Sequence, residues 1–446
     1  MLIRFNVANF LSFDEETEFN MLASGSLRTH KEHVYPLKKN IGVLKASAIY
    51  GANGAGKSNL IKAMDFFKNT INAGKIPANV NNEKFRLKSG NKELPISMEM
   101  EFSYEKKLFT YGFKFDNKIV LEEWFYRTGM SKSKMVFERT HSYEKSQPSI
   151  KMDSKYVADD KSKMLISLME ENLLKPEELL ISKSENLKIK DIDNALEWVA
   201  KRLVFIYPDT ILSFLGGTND SLNDFSNEIL KTFQVGIDSV EFRTNTLKQY
   251  LDKKGITDKK VDEIKTTIDN DGLLVFDKNT NPVLAVKEKD EYVVKKILTN
   301  HNDVFFELNE ESDGTRRLMD FLPMIYILPN AEATFVIDEI DRSLHPSILH
   351  SLIRKVMNST TKGQLIFTTH ESSLLSCKIF RADEIWFAEK DREKHTTQLY
   401  TLNEFKPRPD LDIEKGYLSG RFGAIPFLSK LEDLNWQDNE FQAEGI

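Results

Sequence analysis

The stretch around Gly51 constrains this chain more than any other part of its sequence. Residues Gly51-Ala52-Asn53-Gly54-Ala55-Gly56-Lys57-Ser58 follow a short apolar run, Ala46 to Tyr50, and open a helix-like stretch, Asn59 to Lys68. Glycine adopts backbone angles closed to other residues, so such a turn can point its N–H groups inward. At a helix N-terminus, with lysine and serine following, it makes a nest for phosphate groups. Lys57 adds a point charge for the β- and γ-phosphates, and the Ser58 hydroxyl is placed to ligate Mg²⁺. The candidate nucleotide-binding residues are Asn53, Gly54, Ala55, Gly56, Lys57, Ser58 and Asn59. ATP and Mg²⁺ are the implied ligands.

A chain of 446 residues has room for two or three domains, and a hydrophobic fraction of 40% supports real cores. The net charge of −6 provides no global basic field, so any nucleic-acid contact requires a local patch. Cys377 is the single cysteine, which excludes a disulfide framework and suits a reducing compartment. The first residues, Met1 to Asn6, lack a signal-peptide pattern. The apolar run Phe321 to Leu328 falls far short of the roughly 20 residues that span a bilayer. A cytoplasmic protein without a membrane span is expected.

Residues 1–135 read as a mostly β lobe carrying the glycine-rich turn, with strands expected over Ile96 to Tyr104, Phe109 to Phe115 and Ile119 to Arg127. From 136 to 302 the pattern becomes mainly helical, broken by Pro176, Pro208 and Gly216-Gly217, with some strands and a short helical hairpin turning near Gly255. Residues 303–446 return to an α/β pattern. The acidic stretch Leu431 to Ile446 is expected to be poorly ordered.

Two strand ends carry further chemistry. Phe335-Val336-Ile337 runs into Asp338-Glu339, and a buried parallel strand delivers such residues to the carboxyl edge of its sheet. There Asp338 can hold the Mg²⁺ water shell and Glu339 can polarise an attacking water. Gln364 to Thr368 leads into Thr369-His370, where a histidine can hydrogen-bond the γ-phosphate. Ser312-Asp313-Gly314-Thr315 precedes a helical pattern and offers a hydroxyl, a glycine backbone and a helix N-terminus, although it also fits an ordinary N-cap. His345 and His350 do not share a helical face and are not expected to bind metal. Cys377 is expected to pack as an inert thiol. The pairs Lys253-Lys254 and Lys259-Lys260 read as a solvated helix face.

The order phosphate loop, long gap, Ser312-x-Gly314-Thr315, Asp338-Glu339, Asp341 and His370 resembles the ATPase heads of the ABC superfamily, particularly the SMC and RecF-like branch. That resemblance implies an α/β, ABC-type head of two lobes with an inserted, mainly helical domain. It further implies that Ser312, Gly314 and Thr315 form the signature motif that completes the ATP site of a second protomer. Asp341 would occupy the D-loop position and His370 the switch position. The signature departs from the transporter form, and no glutamine-loop residue is assigned. Asn9-Phe10-Leu11-Ser12-Phe13, Ile340 to Pro346, Thr368 to Ser372 and Tyr417 to Pro426 also look like the stand-alone ATPases of phage-defence loci, including RloA or AbiL-type proteins and the AriA subunit of PARIS systems. The similarity implies a homo-oligomer working with a separately encoded effector such as a Toprim-type nuclease, and a phage protein as trigger.

Other architectures fit less well. The gap of about 250 residues between Ser58 and Ser312, interrupted by prolines and lacking heptads, rules out a long coiled arm. The 76 residues after His370 are too few for a nuclease domain in the same chain. The competing expectation is a RecF-like DNA-repair ATPase that binds DNA in an ATP-dependent way.

Overall fold

The computed structural model describes residues 1–426 except 39–40, 89, 130–132, 146, 184–186, 213–214, 216–218, 257, 278–281 and 409–410. The expectations for Gly216-Gly217 and for Leu431 to Ile446 lie outside the described residues.

Alternating sequence builds the first sheet. In Ile96–Tyr104, Ile96, Met98, Met100 and Phe102 are buried while Ser97, Glu99 and Glu101 are not. A period of two sends one set to each face. Seven antiparallel strands join in the order Ser149–Met152, Ser133–Thr140, Val120–Thr128, Lys107–Phe115, Ile96–Tyr104, Leu2–Ala8, Thr17–Asn20. The helix Lys57–Ala73 lays Leu60, Ile61, Met64, Phe67 and Ile71 into the core beneath this sheet. Phe67 stacks on Phe113 at 5.1 Å, and truncating such a ring to alanine costs about 3–5 kcal/mol.

The second sheet reads differently because both of its faces are covered. Ala46–Tyr50, Thr334–Ile337 and Gln364–Thr368 are buried at every position. Ile49, Val336 and Ile366 face the first core. Tyr50, Phe335, Ile337 and Phe367 share a second core with the helices Asp313–Ile327 and Pro346–Asn358. The strand order is Leu203–Ile206, Thr334–Ile337, Gln364–Thr368, Ala46–Tyr50, Ile385–Lys390, Thr397–Thr401, parallel except for the final pair. Gln364, fully buried, ties the two sheets: its amide donates to the carbonyls of Leu2 and Leu44, and its oxygen accepts the Leu2 N–H at 2.8 Å. A buried amide is tolerable there because its hydrogen-bonding groups are used.

Residues 136–302 mix helix and strand. The helical hairpin appears as Leu247–Lys253 and Asp258–Asp271, with Gly255 at φ 67° in its turn. It packs on an antiparallel sheet of Ser239–Thr246, Glu291–His301, Val283–Glu288 and Leu273–Phe276, to which Val304–Glu307 adds. Ser133–Thr140 and Ser149–Met152 complete the first sheet, and Leu203–Ile206 joins the parallel one. The expected divisions at 135 and 302 therefore follow a change in composition, whereas hydrogen bonding carries the sheets across both. No helix among the described residues is long and apolar enough to cross a membrane.

Candidate functional site

Parallel pairing aligns Ile206 with Ile337, Ile337 with Phe367, and Thr368 with Ile49. Their carboxyl ends consequently deliver Tyr207, Asp338-Glu339, Thr369-His370 and Gly51 to one edge, the crevice where open α/β sheets bind ligands. A cavity of about 260 Å³ opens there, lined by Asn53, Gly54, Ala55, Gly56, Lys57, Ser58, Asn59, Glu339 and His370. Glu339 and His370, from the two distant strand ends, meet the phosphate loop at this cavity.

The loop is built for close approach. Gly54 and Gly56 have φ of 76° and 105°, and a Cβ on Gly56 would stand 2.0 Å from Thr397 Oγ1. Thr397 Oγ1 in turn donates to the Ala55 carbonyl at 2.9 Å and lies 2.7 Å from Ser12 Oγ. Ser12 Oγ also accepts from Asn59 Nδ2 at 2.9 Å. Two segments far apart in sequence thus hold the loop at its closed curvature.

Lys57 Nζ donates to the carbonyls of Gly51 at 2.7 Å and Ala52 at 3.1 Å, leaving one of its three N–H groups. Burial pushes the Lys57 ammonium below its usual range, while Asp338, Asp341 and Glu339 oppose that shift. Ser58 Oγ donates to Asp338 Oδ1 at 3.1 Å, and Thr368 Oγ1 donates to the same oxygen at 2.7 Å. The Thr368 hydroxyl also accepts the Glu339 N–H at 2.8 Å. Glu339 has a left-handed backbone, φ 50°, uncommon for a non-glycine residue. Its carboxylate is 40% exposed, 3.7 Å from Arg342.

His370 donates its backbone N–H to Asp341 Oδ1 at 3.2 Å. Burial, then the Lys57 charge, lowers the His370 imidazole below its ordinary value. Arg317, buried behind the acidic pair, donates to the carbonyls of Tyr207 at 2.8 Å and Asp338 at 3.4 Å.

Ser312, Gly314 and Thr315 do not line this cavity. Ser312 caps the helix Asp313–Ile327, accepting the Thr315 N–H at 3.1 Å. Gly314 lies against the Ser343 carbonyl, which a Cβ would approach to 2.7 Å. His345 caps the helix Pro346–Asn358, and His350 pairs with Ser373, so the two are not joined in one site. Cys377 packs against the second core, and burial pushes its thiol up.

The donor set fits Mg·ATP. Glycine-dependent curvature, a buried ammonium and a serine hydroxyl already aimed at an aspartate are what phosphate and a hard cation require. Ser58 and Asp338 would hold the ion, which when bound neutralises charge on the β- and γ-phosphates.

The sequence matches the family described as "AAA domain, putative AbiEii toxin, Type IV TA system" over residues 46–158 and 177–376. The chain belongs to that family. Its two matched segments contain all the residues assembled at the cavity, together with Ser312, Gly314, Thr315 and Asp341. Among solved structures, this AAA domain protein is similar to one described as the crystal structure of the SmcHead bound to the C-winged helix domain of ScpA, at 11% identity and a TM-score of 0.42, covering 90% of this chain and 97% of that one. It is also similar to the SMC head domain from Thermotoga maritima, at 11% identity and a TM-score of 0.37, covering 90% and 98%. No curated protein matches the sequence.

Thr368, Ser12, Thr397 and Arg317 join the candidate site without having been expected there. Ser12 and Thr368 lie inside segments already noted for family resemblance. A hydroxyl ending an otherwise apolar strand was the available signal for Thr368.

Proposed function

We propose that this AAA domain protein binds and hydrolyses ATP between two copies of itself, and that its nucleotide state controls the assembly, release or activation of a separately encoded effector in antiphage defence. The observation that carries this reading is the Ser58 to Asp338 hydrogen bond of 3.1 Å, with Glu339 and His370 on the same cavity. Lys57 and the loop N–H groups bind phosphate. Glu339 takes the role of general base toward water, and a His370 ring N–H donates to the γ-phosphate. Ser312, Gly314 and Thr315 supply the second copy's share of the site, which accounts for their position away from the cavity. The family description, with its toxin-antitoxin term, supports the defence setting, and RloA, AbiL or AriA-type membership is the finer form of the proposal.

The test is co-purification of the full chain with the product of the adjacent gene, with ATP and without it. Retention that changes with nucleotide in the wild type but not in Lys57→Ala supports the proposal. Retention indifferent to both contradicts it. A RecF-like, DNA-binding reading draws on a basic cleft of about 630 Å³ lined by Lys38, Lys106, Lys107, Arg127, Lys134 and Lys155, although Asp191 pairs with Lys107 at 3.0 Å and Arg127 at 3.5 Å. Salt-sensitive, ATP-dependent DNA binding without any protein partner would favour it.

A further inference from the structure

Upstream of the phosphate loop, His30, Glu32 and His33 bring three ligand atoms within 4.8 Å of one another. His30 Nδ1 is 3.3 Å from Glu32 Oε1, and His33 Nε2 is 3.8 Å from the same oxygen. The opposite nitrogen of each ring is already committed. His30 Nε2 lies 2.9 Å from the Cys377 carbonyl, which can only accept, so this nitrogen carries hydrogen. His33 Nδ1 lies 3.0 Å from Glu384 Oε2, an oxygen that also accepts the Arg381 N–H at 2.7 Å. Both members of the His33–Glu384 pair are essentially inaccessible, at 1% and 0% side-chain exposure. Nδ1 of His33 is therefore its donor.

These assignments leave the lone pairs of His30 Nδ1 and His33 Nε2 facing a carboxylate oxygen. Three acceptors around one point repel unless a proton or a metal cation lies among them. Imidazole nitrogens whose far side donates to a carbonyl or carboxylate are the usual partners of a transition metal, because the outer bond fixes the tautomer and raises basicity. Zinc at about 2.0–2.1 Å from nitrogen and oxygen sets donor atoms roughly 3.3–3.5 Å apart in a tetrahedron. Two of the observed separations, 3.3 and 3.8 Å, lie close to that span, and all three fall within 4.8 Å. The two rings lie 15° from parallel with centroids 4.7 Å apart, so uptake turns the more exposed His30 ring about its Cβ–Cγ bond. That turn loosens its 2.9 Å contact with the Cys377 carbonyl, while His33 keeps its bond to Glu384. His30 at 23% and Glu32 at 61% side-chain exposure are free to make that adjustment.

We propose that His30 Nδ1, Glu32 Oε1 and His33 Nε2 bind one Zn²⁺, with water as the fourth ligand. The segment holding these residues is also joined to the distant chain at 377–384: Arg381 donates to the Thr29 carbonyl at 2.8 Å, and Asp383 accepts the Ser24 N–H at 2.6 Å. The ion would thus order the turn at 30–33, whose own hydrogen bonds reach the approach of Ile385–Lys390, the strand beside Ala46–Tyr50. Its role is structural, and it is independent of the nucleotide reading.

The test uses the untagged full chain, stripped of metal, in buffer free of nucleotide and Mg²⁺. Titration with Zn²⁺ should reach one ion per chain by elemental analysis. Co²⁺ should give the visible absorption of a four-coordinate site and be displaced by Zn²⁺. Zn²⁺ should also raise the unfolding midpoint. His30→Ala and Glu32→Gln, at partly exposed positions, should keep native circular dichroism and bind Zn²⁺ at least about 10-fold more weakly. His345→Ala should bind as the wild type does. Should His30→Ala misfold, Glu32→Gln decides alone. A wild-type chain that takes up no zinc overturns the proposal. Stoichiometric, undiminished binding in Glu32→Gln overturns it equally.

Discussion

Thr368→Val removes one hydroxyl at nearly constant shape, and that hydroxyl holds two parts of the site together. Thr368 is fully buried, donates to Asp338 Oδ1 at 2.7 Å and accepts the Glu339 N–H at 2.8 Å. A hydrogen bond to a charged acceptor is worth about 1.5–3 kcal/mol, and a buried N–H left without a partner costs about 1–3 kcal/mol. The two losses share one group and do not simply add, so the expected destabilisation is about 2–4 kcal/mol. The consequence for turnover is larger than for binding. Glu339 keeps its left-handed backbone, φ 50°, with Thr368 as the acceptor of its N–H. Released, it can drift by an ångström, and such a displacement costs about 10²-fold in rate. Lys57 and the loop N–H groups are untouched, so ATP affinity should change by less than about threefold, under 0.7 kcal/mol. Urea unfolding gives the stability, phosphate release gives the turnover, and a fluorescent ATP analogue gives the affinity. Thr368→Ser, which keeps the hydroxyl and loses a methyl group, should cost about 1 kcal/mol and retain most activity. A Val variant that turns over ATP at the wild-type rate would refute the link between Thr368 and Glu339.

Three further outcomes follow from the same geometry. Gly56→Ala places a Cβ 2.0 Å from Thr397 Oγ1 at a φ of 105°, so nucleotide binding should be lost by calorimetry while the distant sheet of Val283–Glu288 stays folded by hydrogen exchange. His370 is held below its ordinary value of 6.5 by burial and Lys57, and a bound γ-phosphate raises it again. The bound state then carries more protons, so ATP affinity should tighten as pH falls from the raised bound-state value to the lowered free-state one, with a flatter profile in His370→Gln. Glu123→Ala leaves the fully buried Arg139 and the N–H groups of Leu180 and Ile181 without their carboxylate, and should lower stability by about 3–5 kcal/mol in urea unfolding.

Local pattern made some of this architecture legible in advance. The turn at Gly51–Ser58, the acids after Ile337 and the histidine after Thr368 each declare themselves within a few residues, because buried parallel strands read as continuous apolar runs. Alternation likewise marked Ile96–Tyr104. The helix hairpin about Gly255 followed from spacing alone. What stayed hidden depends on pairing across long separations. Thr397 meets Ser12 across 385 positions and His33 meets Glu384 across 351, and neither pair has a local signature. Leu203–Ile206 reads as the end of a helical pattern, yet its register with Thr334–Ile337 makes it the outer strand of the parallel sheet. A shift to a mainly helical pattern after 135 suggested a domain boundary, but Ser133–Thr140 continues the first sheet, with Val136 and Phe137 buried within it.

The central claim is that Glu339 is the base of an ATPase whose bound state joins two copies. Glu339→Gln preserves size and hydrogen bonding while removing basicity. Size-exclusion chromatography with light scattering, run beside a phosphate-release assay on that variant, measures both halves of the claim. Turnover at least about 10²-fold below wild type, with ATP retained and the mass of a dimer or larger assembly, is the expected result. Wild-type turnover, or a variant that holds ATP as a monomer, would contradict it.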